Sequence, residues 1–215
     1  MIEVKGVAKS YHNESVLRNV SLEIKDGDFV SIMGESGSGK STLLSIIGGF
    51  LAPDAGAVYW NGTDVAGLGE REISRLRCSE MGFVFQSYGL IPTLNIRDNM
   101  LLTATLGKHS DAPAYMEQLA ERLELTALFK KYPAQLSGGQ CQRAAIVRAL
   151  AYKPSVVILD EPTGALDSRM EKKVMELLAE LNRERGMTVI QVTHSEKVAA
   201  YAGRIIRISD GEIAL

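Results

Sequence analysis

The sequence has few of the residues that build metal centres or disulfide frameworks. Its 215 residues include two cysteines and three histidines. Cys78 and Cys141 form no metal-ligand spacing, and His12, His109 and His194 lie far apart along the chain. No secretory signal is visible. Two free thiols without such a signal lead us to expect a protein of the reducing cytosol.

Long apolar runs and an excess of one charge are also missing. The most apolar stretch, Leu43 to Ala52, is far shorter than the roughly 20 residues that cross a bilayer. The net charge is −2 with both signs spread along the chain, which gives no reason to expect nucleic acid as a partner. The length suits one domain with an elaboration, and we expect the chain to be soluble by itself.

A glycine-rich octapeptide, G-E-S-G-S-G-K-S, is present at Gly34 to Ser41. It follows the apolar run 29–33 and precedes the apolar segment 42–47. This order of strand, loop and helix is the context that a phosphate-binding P-loop requires. A chance glycine-serine turn is the alternative, and average composition makes this pattern rare. The octapeptide therefore predicts nucleotide binding.

The residue types of the octapeptide fit that chemistry. Gly34, Gly37 and Gly39 keep side chains away from a backbone that must wrap a polyphosphate. The helix that follows presents free N–H groups and its dipole to the anion. Lys40 places a positive charge on the β and γ phosphates, and Ser41 offers a hydroxyl to Mg²⁺.

The periodicity of apolar residues predicts an α/β fold. Predicted strands, in chain order, are Ile2–Val4, Val20–Ile24, 29–33, Ala57–Trp60, Met81–Phe85, Ser155–Asp160, Thr188–Thr193 and Arg204–Ser209, the last opening a terminal hairpin. Besides the helix after the P-loop, predicted helices are Pro113–Glu124, Gln140–Tyr152 and one that runs from a capping box at Ser168–Glu171 to Gly186.

These elements separate into three parts. The early strands, with the hairpin signal Asn61-Gly62, indicate an antiparallel layer at the N-terminal side. The continuous apolar run 155–160 is typical of a central parallel strand. Residues from about 87 to 152 show no strand-like alternation, so we interpret them as a helical insertion.

Two acidic residues end the predicted strand 155–160. A carboxylate at the end of a parallel strand points into the crevice where α/β sheets bind ligands. Asp160 can hold Mg²⁺ through water, and Glu161 can polarise an attacking water as a general base. Two solvated acids before Pro162 are the alternative, which the P-loop makes the weaker interpretation.

A second glycine-rich loop, L-S-G-G-Q at Leu136 to Gln140, opens another predicted helix. It offers a hydroxyl and bare N–H groups, which suit an anion. The P-loop already supplies a full set of phosphate ligands, so a phosphate held by another molecule is the sensible target. This hints at a head-to-tail dimer with nucleotide between the chains. An ordinary helix N-cap would explain Ser137 but not the glycines and glutamine.

With this loop, the chain resembles the nucleotide-binding subunit of an ATP-binding cassette (ABC) transporter over essentially its full length. The pentapeptide is identical to the family signature and is highly specific. The other matches come in the family's order: the adenine-stacking aromatic Tyr11, the first Walker motif Gly34–Ser41, the Q-loop Gln86, the second Walker motif Val156–Asp160 with the catalytic Glu161, the D-loop Ala165–Asp167 and the switch His194.

The resemblance implies a site. Implied catalytic residues are Glu161, His194 and Gln86, and implied Mg²⁺ ligands are Ser41, Gln86 and Asp160. Residues implied to bind ATP are Tyr11, Gly34, Glu35, Ser36, Gly37, Ser38, Gly39, Lys40, Ser41, Thr42, Ser137, Gly138, Gly139, Gln140 and Asp167.

Each role taken from single residues has an alternative. Tyr11 could be a plain strand aromatic, and Gln86 a surface amide. His194 could be structural, and Asp167 could help Ser168 to cap its helix. Cys141 stands where the family usually has a longer polar residue after the signature. This difference raises the question of how Cys141 packs and whether its thiol is sensitive to oxidation. His12 stands where glycine is frequent, which concerns loop geometry.

The resemblance also implies an architecture. We expect a P-loop NTPase (RecA-like) core with a parallel sheet, an N-terminal antiparallel β layer and a helical insertion subdomain. Residues 1–86 and 153–215 would form the core with its β layer, and residues 87–152 the helical subdomain that carries the signature. The whole chain, 1–215, would be one ABC ATPase domain.

The implied function is ATP hydrolysis that powers a membrane transporter, with Mg²⁺, through closure of a homodimer. Stretches such as 85–90 and 161–168 resemble the ATPases of macrolide export, lipoprotein release and antimicrobial-peptide resistance. Expected partners are a second copy and an integral membrane permease, which would hold the chain on the cytoplasmic face of the membrane. The alternative is a regulatory or structural ABC ATPase of a division or sensing complex.

Overall fold

The computed structural model describes residues 1–12 and 14–214. Ten strands are present in this part of the chain: β1 (Ile2–Tyr11), β2 (Glu14–Ile24), β3 (Phe29–Met33), β4 (Ala55–Trp60), β5 (Thr63–Asp64), β6 (Met81–Val84), β7 (Val156–Asp160), β8 (Thr188–Val192), β9 (Arg204–Ser209) and β10 (Glu212–Ala214). The seven α-helices are α1 (Lys40–Ile47), α2 (Glu70–Ser79), α3 (Ile96–Leu106), α4 (Ala112–Arg122), α5 (Gly138–Leu150), α6 (Ser168–Arg185) and α7 (Glu196–Ala199).

The strands form two sheets. The larger has the order β10-β9-β3-β8-β7-β6, and all its pairs are parallel except β9 with β10. The smaller is antiparallel, with the order β2-β1-β4-β5. The parallel sheet and the separate antiparallel layer that the sequence predicts are therefore both confirmed.

The larger sheet is buried on both faces, which explains its continuous apolar strands. In β7, Val157 and Leu159 pack into a core shared with the helices α3 to α6. Val156 and Ile158 point the other way, into a core shared with α1 and the antiparallel sheet. The sheet is thus held rigidly between two apolar layers.

The segment between β6 and β7 contains only helices and short 3₁₀ turns among its described elements. Helix α4 buries Met116, Leu119 and Ala120, as its periodicity predicts. The exact division at residues 87 and 152 stays a prediction.

Sequence periodicity missed three helices: α2, α3 and the four-residue α7. Helix α2 is mostly polar, and Ile73 is its buried residue. Its sequence therefore shows little apolar periodicity. Helix α3 is more evenly apolar and lies across α5, so tertiary contacts rather than amphipathicity select it. Strand β1 is also longer than predicted, because irregularities after Val4 and Val7 interrupt the alternation.

Candidate functional site

Four neighbouring parallel strands end at the same edge of the larger sheet. The P-loop follows β3, and residues near the ends of the next three strands in the sheet order are His194 after β8, Asp160 at the end of β7 and Gln86 after β6. Parallel strands place their carboxyl ends together, and ligands bind in the crevice outside them. Segments far apart in sequence are therefore brought to one place by the sheet order.

Lys40 lies over the P-loop. Its Nζ donates to the carbonyl oxygens of Gly34 at 2.9 Å and Glu35 at 2.5 Å, and it lies 3.3 Å from Ser38 Oγ. The loop therefore holds an ammonium group at its centre, at the start of α1. Cation, helix N-terminus and glycine backbone together suit a polyphosphate.

Asp160 carries the clearest signal for a metal ion. Its side chain is buried, and its Oδ1 has no hydrogen-bond partner among the described residues. Burial raises the pKa of Asp160, while a hydrogen bond with Ser41 and the charge of Lys40 act in the opposite direction. An orphaned buried carboxylate oxygen beside a serine hydroxyl fits a hard oxygen-seeking cation such as Mg²⁺.

Glu161 and His194 form a pair at the same edge. The His194 Nδ1 atom lies 3.0 Å from Glu161 Oε1. The Glu161 side chain is 18% exposed and that of His194 76%. Glu161 also has a left-handed backbone, with φ of +50°, a conformation that is uncommon outside glycine and typical of sites where geometry matters more than stability.

These groups surround one cavity of about 570 Å³. All of the predicted catalytic and metal-binding residues, Ser41, Gln86, Asp160, Glu161 and His194, therefore meet in one space. Its lining comprises Gly34, Ser36, Gly37, Lys40, Ser41, Gln86, Tyr88, Gln142, Asp160, Glu161, Gly164, Ala165, Val192 and His194.

Tyr11 lies at the other side of the P-loop. Its ring is 43% exposed and borders a neighbouring depression with Val16 and the P-loop residues Gly37, Gly39, Lys40, Ser41 and Thr42. An exposed aromatic beside a phosphate loop has the right place to stack on a nucleotide base. His12, which follows it, has φ of +47°, a conformation that glycine adopts easily and that explains why glycine suits this position.

The signature loop does not line the chain's own cavity; none of Ser137, Gly138, Gly139 and Gln140 is among its described lining residues. Ser137 caps α5: its Oγ accepts from Gln140 N at 3.3 Å, and Gln140 Oε1 accepts from Ser137 N at 2.9 Å. The glutamine that a simple N-cap seemed not to explain thus has a structural role. Ser137 and Gly138 themselves are exposed at the tip.

The predicted capping box at Ser168–Glu171 is wrong. The N-cap of α6 is Asp167, whose Oδ1 accepts from Met170 N at 2.9 Å, and Ser168 is already the first helical residue. Aspartate and serine are both strong N-caps, so adjacent candidates cannot be ranked without the backbone.

Cys141 is buried at the start of α5, and burial raises the pKa of its thiol. Its Sγ lies 3.7 Å from the carbonyl oxygen of Pro133. A buried, protonated thiol packs as a small apolar group and reacts slowly. The departure from the usual polar residue is therefore accommodated by packing.

Sequence reasoning missed two residues that shape the cavity. Gln142 is buried on α5 and contacts the loop after β7. Arg148, also buried on α5, donates to the carbonyl oxygens of Tyr88 at 2.7 Å and Gly89 at 2.6 Å, just after Gln86. The only available signal was a polar residue on the apolar side of a helix, which does not identify its partner.

The position of Glu161 decides the class of protein. A carboxylate directly after an aspartate suited to a metal ion, both facing a P-loop at the end of a parallel sheet, is the arrangement of a P-loop nucleotide hydrolase.

The family profile described as ABC transporter matches residues 17–164. An ABC transporter ATP-binding protein of Methanocaldococcus jannaschii, MJ0796, is 45% identical over 224 residues, covering 99% of this chain and 95% of that protein. Its dimeric structure in a post-hydrolysis state with ADP and Pi superposes with a TM-score of 0.95 at 41% identity, covering 100% and 97% of the two chains. The chain belongs to the ABC transporter family.

Two further relatives indicate the subgroup. The macrolide export ATP-binding/permease protein MacB of Marinobacter nauticus is 45% identical over 222 residues, which is 99% of this chain and 34% of that protein. The bacitracin export ATP-binding protein BceA of Halalkalibacterium halodurans is 37% identical over 219 residues, covering 99% and 87%. The resemblance to the macrolide-export and antimicrobial-peptide subgroup is confirmed.

The predicted fold and reaction class are thereby confirmed as well. The chain is an ATPase that uses ATP and Mg²⁺, of the kind that powers membrane transport. Across residues 1–12 and 14–214, no helix has both the length and the apolar character needed to span a bilayer.

Proposed function

We propose that this chain drives an export-type transporter as half of an ATP-sandwich dimer. The observation that carries the proposal is the cavity that unites Lys40, Asp160, Glu161 and His194. Within one chain the exposed signature tip at Ser137 lies outside that cavity. A second copy, placed head to tail, would add its own signature to the γ-phosphate side. The dimeric cassette structure of MJ0796 supports this arrangement.

In this proposal each part of the cavity has a separate role in binding the nucleotide. Tyr11 stacks on adenine, the N–H groups of the P-loop wrap the phosphates, and Lys40 neutralises the β and γ oxygens. Ser41, Asp160 and Gln86 would hold Mg²⁺, and the bound ion would supply further charge neutralisation.

Glu161 takes the proton of the attacking water. His194, 3.0 Å away, orients the glutamate and can hydrogen-bond the γ-phosphate. Release of phosphate removes the shared ligand, so the dimer opens. The helical segment 87–152 moves with its signature and carries this change outward.

A permease is the proposed recipient of that movement, and it would hold the chain on the cytoplasmic face of the membrane. The names of the relatives support an export substrate, since one is a macrolide exporter and another a bacitracin exporter. The proposed class of transporter also includes lipoprotein-release systems, which belong to the same subgroup by sequence resemblance. The segment around Gln86, which links the cavity to the surface, is the expected contact with the permease.

Replacing Glu161 by Gln tests the catalytic part of this proposal. The amide keeps the size of the side chain but cannot accept the proton, so we expect the rate of ATP hydrolysis to fall by about 10²-fold or more. Nucleotide affinity should stay the same, and a closed dimer should accumulate with MgATP. Steady-state phosphate release and size-exclusion chromatography measure the two effects.

Glu176→Gln is the matched control, because Glu176 is an exposed residue of α6 whose pair with Lys172 spans 3.6 Å. It should hydrolyse ATP at the parental rate. Parental turnover in Glu161→Gln would show that this carboxylate is not the base.

A further inference from the structure

Gln142 is the buried polar residue of α5 closest in sequence to the signature loop. Its side chain is only 1% exposed, and it lines the nucleotide cavity. Burying an amide without hydrogen bonds is costly, so its partners identify what it is for.

Both ends of the Gln142 amide are bonded to the same loop. Its Nε2 donates to the carbonyl oxygen of Glu161 at 2.6 Å, and its Oε1 accepts from the N–H of Ala165 at 3.0 Å. The two bonds therefore hold the first and last residues of the five-residue segment 161–165. One side chain from α5 sets the span of the loop that follows β7.

The backbone of Glu161 needs this support. Its φ of +50° is unfavourable for a residue with a side chain. On one side, its N–H donates to the carbonyl oxygen of Val192 at 3.1 Å. On the other, its carbonyl oxygen accepts from Gln142. Both peptide groups that flank its Cα are fixed, and this directs the carboxylate into the cavity beside His194.

Close packing in the same place ties the signature to this loop. A Cβ added at Gly139 would lie 2.8 Å from the carbonyl oxygen of Ala165. The first turn of α5 and the end of the 161–165 loop are therefore in direct contact, with no room for a side chain between them.

We propose that Gln142 is a positioning residue for Glu161, which locks the signature helix α5 to the loop carrying the general base. Movement of the signature is then transmitted to the base of the same chain. This inference rests on the proposed role of Glu161. Among the described residues, both hydrogen bonds of the Gln142 side chain are made with main-chain groups of this loop, so its proposed action on catalysis runs through Glu161.

The test compares Gln142→Ala and Gln142→Met with the parental chain. Methionine keeps the length and fills the space, but it leaves both main-chain groups without their partner, so it remains informative if the alanine variant fails to fold. We expect kcat to fall about tenfold or more, because a misdirected base loses its catalytic geometry. KM for ATP and the Kd of the nucleotide should stay within about twofold.

Asn99→Ala is the matched control. Asn99 is likewise a fully buried amide that holds a loop, with bonds to main-chain atoms of Ile91, Leu94 and Asn95. It lies outside the cavity lining, so its loss should lower the melting temperature and leave kcat unchanged. An equal loss of kcat in Asn99→Ala would reduce the Gln142 effect to general destabilisation and overturn the proposal.

The double variant Glu161→Gln with Gln142→Met separates positioning from other roles. Because Gln142 acts through Glu161, its replacement should change the residual single-turnover rate of Glu161→Gln by less than about twofold. A further tenfold loss would overturn the proposal, as would parental kcat in the folded single variants. If Glu161→Gln alone is inactive while Gln142 variants are normal, this inference fails and the proposed function stands. If Glu161→Gln is itself fully active, the proposed function fails first.

Discussion

At the scale of single residues, the site contains side-chain and backbone conformations that lower the stability of the folded chain. Asp160 is a buried carboxylate with an oxygen that lacks a hydrogen bond, and Glu161 has a left-handed backbone. Both features oppose folding and both face the cavity. The neighbouring apolar core, with Val157 and Leu159 fully buried, supplies the stability that permits them.

The P-loop offers a prediction at this scale. Gly37 and Gly39 have φ of +84° and +95°, so alanine is strained at either position. At Gly39 an added Cβ would also lie 2.7 Å from the carbonyl oxygen of Val16, whereas at Gly37 it meets no described atom within 4 Å. We expect Gly37→Ala to cost about 1 kcal/mol of unfolding free energy and Gly39→Ala clearly more.

Urea denaturation of the nucleotide-free protein measures both. Gly37→Ala is the internal control, because it carries the backbone strain without the close contact. Equal costs for the two variants would contradict the packing argument.

At the scale of elements, helix ends explain several motif residues. Helix α5 begins at the signature, where Ser137 and Gln140 cap each other, and α6 begins at the D-loop, where Asp167 is the cap. Both motifs therefore combine an exposed polar tip with the start of a helix. The residues proposed to meet a second chain are held by the same hydrogen bonds that cap the N-terminal ends of α5 and α6.

The cap of α6 provides the second prediction. Asp167→Ala removes the acceptor for Met170 N and should cost about 1 kcal/mol of unfolding free energy. Ser168→Ala should change stability by a few tenths of a kcal/mol at most, since Ser168 lies inside the helix and alanine favours helix. Chemical denaturation without nucleotide measures both variants. If Ser168→Ala lost more stability than Asp167→Ala, Ser168 would be the N-cap, as the sequence predicted.

At the scale of the whole molecule, the proposed function requires two chains to complete one site. Within one chain, Ser137 at the signature tip is exposed and is not among the described residues that line the cavity around Lys40. A head-to-tail dimer has two composite sites, each with the P-loop of one chain and the signature of the other. The number of chains needed for hydrolysis is therefore testable by mixing defective copies.

Lys40→Ala and Ser137→Arg serve for this third prediction, each shown to be folded by thermal melting. Each should be almost inactive alone. In an equal mixture about half of the dimers are mixed and each has one intact site, so activity should return to about a quarter of the parental value. Phosphate release over a range of mixing ratios measures it. A mixture no more active than its components would contradict shared sites.

The success of prediction from sequence follows the range of the interactions. The P-loop, the strands β3, β7 and β8 and the helix α4 depend on local pattern, and each was found within a few residues. The mostly polar α2 and the evenly apolar α3 were missed because long-range packing selects them. The N-cap of α6 was misplaced by one residue, because aspartate and serine are both favoured at the N-cap and Asp167 and Ser168 stand side by side.

The sequence by itself determined the family, the reaction class and the motif residues, because phosphate binding requires particular residue types at short, fixed spacings. Tertiary structure alone decided which polar residues support them. Gln142 reaches a loop 19 residues ahead, and Arg148 reaches carbonyl groups 59 and 60 residues behind. Such contacts are made across the sheet edge, between segments whose separation along the chain carries no periodic signal. The order of strands, which brings β3, β8, β7 and β6 side by side, creates them.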